Sequence, residues 1–236
     1  MPLFKFKQFS IRQDQSAMKI GTDGVLTGSW IPCESAGSLL DIGTGTGLIA
    51  LMAAQRSSAK IEAIEIEENA ARQAEENFRN SPWCQRLQCI HQDFTLWADT
   101  PREHSYDLIV SNPPYFRNSL KNPDLSRATA RHHDTLNPDS LLKGVSRLLS
   151  PQGKFCMILP ADALNSFRIP ASAHGLYITR TVQVQTLPGQ PPKRCLIQME
   201  KQPKENESSL LLLYGEGPRG MSQEYIRLTR DFYLFL

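Results

Sequence analysis

The sequence predicts an α/β fold, a mostly parallel sheet with helices on both faces and an antiparallel edge strand. Three observations carry that expectation. From Ser38 onward, short apolar runs alternate with longer helical patterns, as expected for parallel strands joined by crossover helices. The first run opens directly into a glycine-rich turn, Gly43-Thr44-Gly45-Thr46-Gly47. Tyr177 to Gln185, unlike the earlier runs, alternates polar with apolar residues, which assigns it to an antiparallel edge.

Each element follows in order. Phe4, Phe6, Phe9 and Ile11 fall at near-strand spacing, with Lys5, Lys7 and Arg12 between or beyond them. A short strand is expected to end at Ile20, followed by a turn at Gly21-Thr22-Asp23-Gly24. Asp23 is the candidate N-cap of a helix running toward Trp30 and closed by Pro32. This N-terminal ribbon either covers a sheet edge or forms a lid over a ligand pocket. Strands are then expected at 38–42, 60–66 and 86–91, with helices at 48–56 and 67–79. A fourth strand starts at Tyr106 and stops at two consecutive prolines, which offer no N–H to a ladder. The irregular stretch 117–137 is long for a loop inside a compact domain, a length that marks functional segments. Beyond it come a helix over 138–149, a strand over 153–159 and a helix over 161–167. The edge strand, a loop at 188–192, strands at 195–199 and 210–214 and a final helix over 223–232 complete the chain. With no internal repeat and no linker, 1–236 reads as a single domain, 1–34 being a strand, turn and helix cap on a core of 35–236.

The totals are consistent with this reading. A chain of 236 residues buries a full core, and 40% hydrophobic with 21% charged residues is ordinary for a soluble globular protein. The formal charge of +2 permits nucleic-acid binding without arguing for it. No apolar run reaches membrane-spanning length, and the alternating N-terminus lacks the apolar core of a signal peptide. Five cysteines without a Cys-x-x-Cys read as reduced thiols, not as disulfides or a zinc site. Cys156 and Cys195, set in apolar runs, read as core filler. A cytoplasmic protein without metal is expected.

The chemistry is expected where the strands end. A Gly-x-Gly-x-x-Gly loop would hold a pyrophosphate on a helix N-terminus. Here the glycines are Gly43, Gly45 and Gly47, with Asp41 just before them. An acid at that place disfavours a phosphate and suits an ammonium group, such as that of S-adenosylmethionine. The cofactor's ribose hydroxyls need a carboxylate at the end of the second strand, where Glu65 lies, and Asp93 after the third strand could accept from its adenine amine. Each acid alone could be a solvated loop-end charge. Their arrival at successive strand ends is what points to a ligand crevice.

The fourth strand ends in Asn112-Pro113-Pro114-Tyr115-Phe116. Residues before proline are pushed to extended geometry, so this loop is stiff. Asn112 Oδ1 and the Pro113 carbonyl could accept both N–H bonds of an exocyclic amine, with Tyr115 stacking on its ring. Such an amine is a poor nucleophile, and orientation with fixed dipoles would do the work of a base. A nucleobase must leave its stack to enter such a pocket.

These motifs resemble the class I S-adenosylmethionine-dependent amino-methyltransferases. Lys7-Gln8-Phe9, the stretch from Met18-Lys19 to Gly24, the Asn-Pro-Pro-Tyr-Phe segment and the terminal Leu228-Thr229-Arg230-Asp231-Phe232-Tyr233 are similar to the bacterial tRNA1(Val) adenosine N6-methyltransferases. The resemblance implies a Rossmann-like, seven-stranded class I methyltransferase fold. It implies a turn with Lys19, Gly21, Thr22 and Asp23 closing over the cofactor, and Asp41, Glu65, Asp93 and Asn112 in the roles above. It implies a tRNA substrate, methylated on the adenosine 3′ of the anticodon (position 37); a monomer is expected, though the sequence itself does not give the oligomeric state. Arg117, Lys121, Arg127 and Arg131, together with His132 and His133, crowd the loop beside the motif and are the candidate RNA contacts. Lys5, Lys7, Arg12 and Lys19 are candidates for the same edge. Gln13-Asp14 and Arg131-His132-His133 also resemble the family, without a role that physics assigns.

The alternatives are another Asn-Pro-Pro-Tyr amino-methyltransferase, acting on a different RNA or a protein glutamine amide, and a methyltransferase-like binding protein. The former class carries an extra N-terminal helical domain when its substrate is a protein, and the intact motif argues against the latter. A DNA adenine methyltransferase needs a target-recognition domain that this chain does not offer. A nicotinamide dehydrogenase is disfavoured by the glycine spacing and Asp41.

Overall fold

A computed structural model describes residues 3–14, 19–101, 105–113 and 136–236. Short β1 (Phe4–Lys5) and β2 (Ser10–Ile11) pair antiparallel as a ribbon of their own. Helix α1 is Thr22–Trp30, β3 is Ser38–Ile42 and α2 is Leu48–Arg56. Then come β4 (Lys60–Glu65), α3 (Glu68–Arg79), β5 (Leu87–His91), α4 (Phe94–Asp99) and β6 (Tyr106–Ser111). Helix α5 (Pro138–Leu148) leads into the long β7 (Leu149–Pro160), and α6 is Leu164–Ala173. Strands β8 (Tyr177–Gln185), β9 (Arg194–Glu200) and β10 (Glu207–Leu212) precede α7 (Gln223–Thr229).

The main sheet runs β10-β8-β9-β7-β6-β3-β4-β5. The chain moves from β3 outward through β4 to β5, then returns to the other side of β3 as β6. Strand order therefore reverses at β3, and the crevice above such a switch point is where open α/β sheets bind ligands. Period-two alternation sends Leu39 to the cluster under α1 and α2, and Leu40 and Ile42 to the cluster containing Phe94, Leu141 and Phe167 from α4, α5 and α6. Leu39, Leu40 and Ile42 are essentially inaccessible to solvent. Truncating any of them to Ala would cost about 2–5 kcal/mol.

Several helix starts follow from local chemistry. Glu67 caps α3 by accepting from Asn69 N and Ala70 N, and Asn137 caps α5 by accepting from Ser140 N, with Pro138 at the first helical position. Ser222 does the same for α7 through Tyr225 N.

The structure corrects several expectations. The sheet has eight strands rather than seven, because β10 adds a parallel strand beyond β8. Strand β8 is neither antiparallel to the main direction nor at the edge. Strand β9 is the reversed one and sits between β7 and β8, because a short loop after β8 turns the chain straight back. The polar positions of β8 are not all solvated: Thr179 and Thr181 are buried, bonded to Glu200 and Asn206. Residues 21–24 are not a free turn. Gly21, in extended geometry, is the N-cap, and Thr22, Asp23 and Gly24 form the first turn of α1. Asp23 is not the N-cap, and Ile20 ends no strand. Among the described residues the ribbon pairs within itself and not with the main sheet. Phe6 bridges to Tyr233 and Lys7 N donates to the Phe232 carbonyl, so the two ends of the described chain are fastened to each other.

Candidate active site

The site grows from the ends of β3, β4 and β6. Beyond Ile42 the backbone turns over β4, with Gly43 N and Thr44 N both donating to the Ile64 carbonyl at 2.8 and 3.1 Å. Gly43, Gly45 and Gly47 all have positive φ (70°, 57° and 84°), a region that L side chains enter only at a cost. Gly47 has a second reason to be glycine. A Cβ there would lie 2.4 Å from Phe78 Cε1, whereas one on Gly43 or Gly45 would meet nothing within 4 Å. The loop thus packs tightly at its helix end and presents bare backbone at the other two glycines.

Asp41 lies under this loop at 0% exposure. Its Oδ2 accepts from Thr44 Oγ1 at 2.6 Å and from Ala50 N, in the first turn of α2, at 3.2 Å. The carboxylate therefore sits at the positive end of the α2 dipole, which offsets part of its burial. Burial still dominates: it pushes the Asp41 pKa up to about 7, against the lowering effect of the Thr44 and Ala50 bonds, and the nearby Glu65 charge pushes the same way. Asp41 Oδ1 is buried with no hydrogen-bond partner among the described residues. A buried unsatisfied carboxylate oxygen beneath a bare-backbone loop is a place where a cationic donor gains most.

Glu65 closes the second side. Its Oε2 accepts from Gly45 N at 2.8 Å, and Oε1 accepts from Ile66 N and Glu67 N at 2.9 and 3.0 Å. A carboxylate has about four lone-pair positions, so these bonds orient it while leaving capacity for hydroxyl donors. Gln92 N donates to the Glu65 carbonyl, which brings Asp93 to the neighbouring strand end. Asp93 Oδ1 caps α4 by accepting from Thr95 N, Thr95 Oγ1 and Leu96 N.

Asn112 follows Ser111, whose Oγ donates to the Ile42 carbonyl at 2.9 Å and ties the end of β6 to the end of β3. Asn112 is half-buried and Pro113 buried. The first turn of α1 approaches them closely: a Cβ on Gly24 would come within 2.9 Å of Leu48 Cδ2 and 3.9 Å of Asn112 Nδ2. Three walls therefore converge, the glycine loop with α2, the start of α1, and the end of β6. Asp23 is held there by Arg194 at the start of β9, whose Nε donates to Asp23 Oδ2 at 2.9 Å.

The structure brings together Asp41, Gly43, Gly45, Gly47, Glu65 and Asn112, with Gly21, Thr22 and Asp23 on the α1 side. Lys19 Nζ donates to the Gln13 carbonyl at 2.5 Å. Lys7 is likewise engaged, with the Arg230 carbonyl, and Arg12 pairs with Glu76. Tyr115, Arg117, Lys121, Arg127, Arg131, His132 and His133 lie outside the described residues. The sequence reading missed Thr44, which had a signal in its spacing from Asp41, and Arg194, which had none. It also missed Asn77, a buried amide on the apolar face of α3.

Fold and crevice together define a class I methyltransferase. The profile of the methyltransferase small domain family matches residues 19–159. A relative from Bacteroides fragilis (strain ATCC 25285) is 53% identical over 99% of this chain and 98% of its own length, and one from Tolumonas auensis is 42% identical over 98% and 96%. Both carry the name tRNA1(Val) (adenine(37)-N6)-methyltransferase, and the chain belongs to that family. Solved structures agree on the fold. A predicted O-methyltransferase from Agrobacterium tumefaciens superimposes with a TM-score of 0.70 at 17% identity, covering 89% of this chain and 96% of its own. The CcbJ methyltransferase from Streptomyces caelestis gives 0.58 at 12%, covering 80% and 95%. Among the described residues, no group of three or more His, Cys, Asp or Glu could hold a metal, and no helix is long and apolar enough to cross a membrane.

Proposed function

We propose that this chain methylates the exocyclic N6 of adenosine 37 in tRNA1(Val), using S-adenosylmethionine. One observation carries the reading: the orphaned Asp41 Oδ1, the oriented Glu65 carboxylate and Asn112 converge at the strand-order switch beneath a loop of bare glycine backbone. The residues fit the cofactor. Asp41 offers a buried acceptor to its ammonium, Glu65 faces its ribose hydroxyls, and Asp93 lies one strand further along for the adenine. When bound, the cofactor supplies a sulfonium methyl, already a strong electrophile.

The protein's part is to aim the amine. Asn112 Oδ1 and the Pro113 carbonyl accept the two N–H bonds of the adenine, and Tyr115 stacks on its ring. As the bond from nitrogen to the methyl carbon formed, the S–C bond would break, the sulfur would leave as a neutral thioether, and the nitrogen, left positive, would shed a proton to solvent. Both acceptors strengthen as that charge grows, so they stabilise the transition state more than the bound substrate. Arg117, Lys121, Arg127 and Arg131 hold the tRNA phosphates around the flipped base. The enzyme acts as a cytoplasmic monomer, a single domain with 1–34 capping a core of 35–236.

Titration with S-adenosylhomocysteine tests the cofactor half of this reading. Glu65→Ala should weaken binding by about 1.5–3 kcal/mol, the loss of a charged hydrogen-bond acceptor. Wild-type affinity in a folded Glu65→Ala protein would remove the residue from the site.

A further inference from the structure

Asn77, on α3, is 3% exposed and fully engaged. Its Oδ1 accepts from Arg12 N at 2.8 Å, while Nδ2 donates to the Arg12 carbonyl and to the Thr46 carbonyl, both at 2.9 Å. One side chain thus pairs with the backbone of the N-terminal segment as a strand neighbour would, and holds the middle of the glycine loop with its remaining proton. One helical turn earlier, Gln73, 1% exposed, donates Nε2 to Asp14 Oδ1 at 2.8 Å. That bond is the main reason the Asp14 carboxyl is held below its ordinary pKa. Between these two anchors, Gln13 reaches the other way. Its Oε1 accepts from Ile20 N at 2.8 Å, two residues before α1 begins, and its carbonyl accepts from Lys19 Nζ.

Residues 12–14 therefore tie together two walls of the crevice, the glycine loop through Asn77 and the start of α1 through Gln13. We propose that Gln73 and Asn77 are positioning residues that couple docking of Arg12–Asp14 on α3 to cofactor binding. The inference rests on the functional reading above. A ligand seated between the two walls gains only if both are in place, so segment docking raises cofactor affinity. By reciprocity the cofactor must then tighten the docked segment by the same factor. Gln13-Asp14 has its role in this link.

The test combines S-adenosylhomocysteine titration, amide hydrogen exchange and steady-state kinetics on the full chain. Gln73→Met keeps the buried volume near its original value but deletes the amide that bonds Asp14, and Asn77→Ala deletes the shared one. Both should bind S-adenosylhomocysteine roughly 5- to 10-fold more weakly, at the low end of site-to-site coupling. In Gln73→Met, turnover with saturating cofactor and tRNA should stay within about twofold, a split that a general loss of structure would not give. In the wild type, S-adenosylhomocysteine should slow exchange at the Arg12 and Ile20 amides, and the effect should shrink in Gln73→Met. Wild-type affinity in Gln73→Met, or exchange at Arg12 and Ile20 indifferent to the ligand, would overturn the coupling. If Asn77→Ala fails to fold, Gln73→Met carries the test, since the amide it loses bonds the segment and not the loop. Failure of the wild type to bind S-adenosylhomocysteine at all would overturn the functional reading itself, and the coupling with it.

Discussion

Asp41 shows what burial does to a single residue here. Its pKa of about 7 lies well above the ordinary carboxylate value, and the dominant cause is loss of solvent. The folded chain then keeps a proton that the unfolded chain releases. The stability this group contributes is complete below the unfolded-state pKa of about 4 and is lost as pH rises through the folded-state value. Thermal unfolding without ligand should show that decline between the two values, and Asp41→Asn should lack it. Binding is expected to run the opposite way. An ammonium prefers the anionic carboxylate, so S-adenosylhomocysteine affinity should climb as pH rises through 7 in the wild type but not in Asp41→Asn. Parallel profiles for the two proteins would contradict a direct Asp41–ammonium contact. Asp41, Glu65 and Asn112 were legible because strand ends can be counted in the sequence and acids there are conspicuous. The Arg194–Asp23 pair spans 171 positions, and nothing local announces it. Asn77 was hidden for another reason: an amide on a polar, acidic helix reads as solvated until the fold shows which face is covered.

Among the elements, the glycine loop carries the strictest local demand. Gly47→Ala asks a side chain to enter the left-handed region and to share space with the Phe78 ring. The expected destabilisation is about 2–4 kcal/mol, the left-handed cost plus overpacking, read from denaturant midpoints. Gly45→Ala should cost about 1–2 kcal/mol, because its conformation is left-handed but its surroundings are open. Equal effects at the two sites would contradict the packing described for Phe78. Strand positions from 38 to 111 and the α3 and α5 helices could be read from apolar runs and caps. The order of β8, β9 and β10 could not, because alternation reports how a strand is covered and not which way it runs. The Asp23 cap failed for a related reason. Gly21 takes the extended cap geometry, and Asp23 instead meets a charge delivered by β9.

Across the whole molecule, the N-terminal ribbon and the C-terminal segment are joined on the face of the sheet that carries α1 and α2. The contacts are Phe6 with Tyr233 and Lys7 with Phe232 and Arg230, and Gln55 on α2 holds the same C-terminal segment through the Asp231 carbonyl. Lys7, basic in the sequence, is thereby engaged with the C-terminal segment, while Arg12 pairs with Glu76 on α3. The proposed RNA contacts are Arg117, Lys121, Arg127 and Arg131. Neutralising all four should weaken tRNA binding and reduce the salt slope by roughly 0.7–0.9 for each phosphate that is no longer neutralised, with cofactor affinity spared. An unchanged affinity and slope would make the loop an ordinary charged surface.

The central claim is that Asn112 directs an adenine amine at the cofactor's methyl group. Single-turnover transfer of labelled methyl from S-adenosylmethionine to unmodified tRNA1(Val), with mapping of the methylated nucleoside, tests it most directly. The wild type should place the label on N6 of adenosine 37. Asn112→Ala should bind S-adenosylhomocysteine nearly as the wild type does, yet transfer methyl roughly 10²–10³-fold more slowly, the effect of losing one preorganised partner of a developing charge. An Asn112→Ala protein that methylates adenosine 37 at the wild-type rate, or a wild type that labels no adenosine N6, would contradict the account.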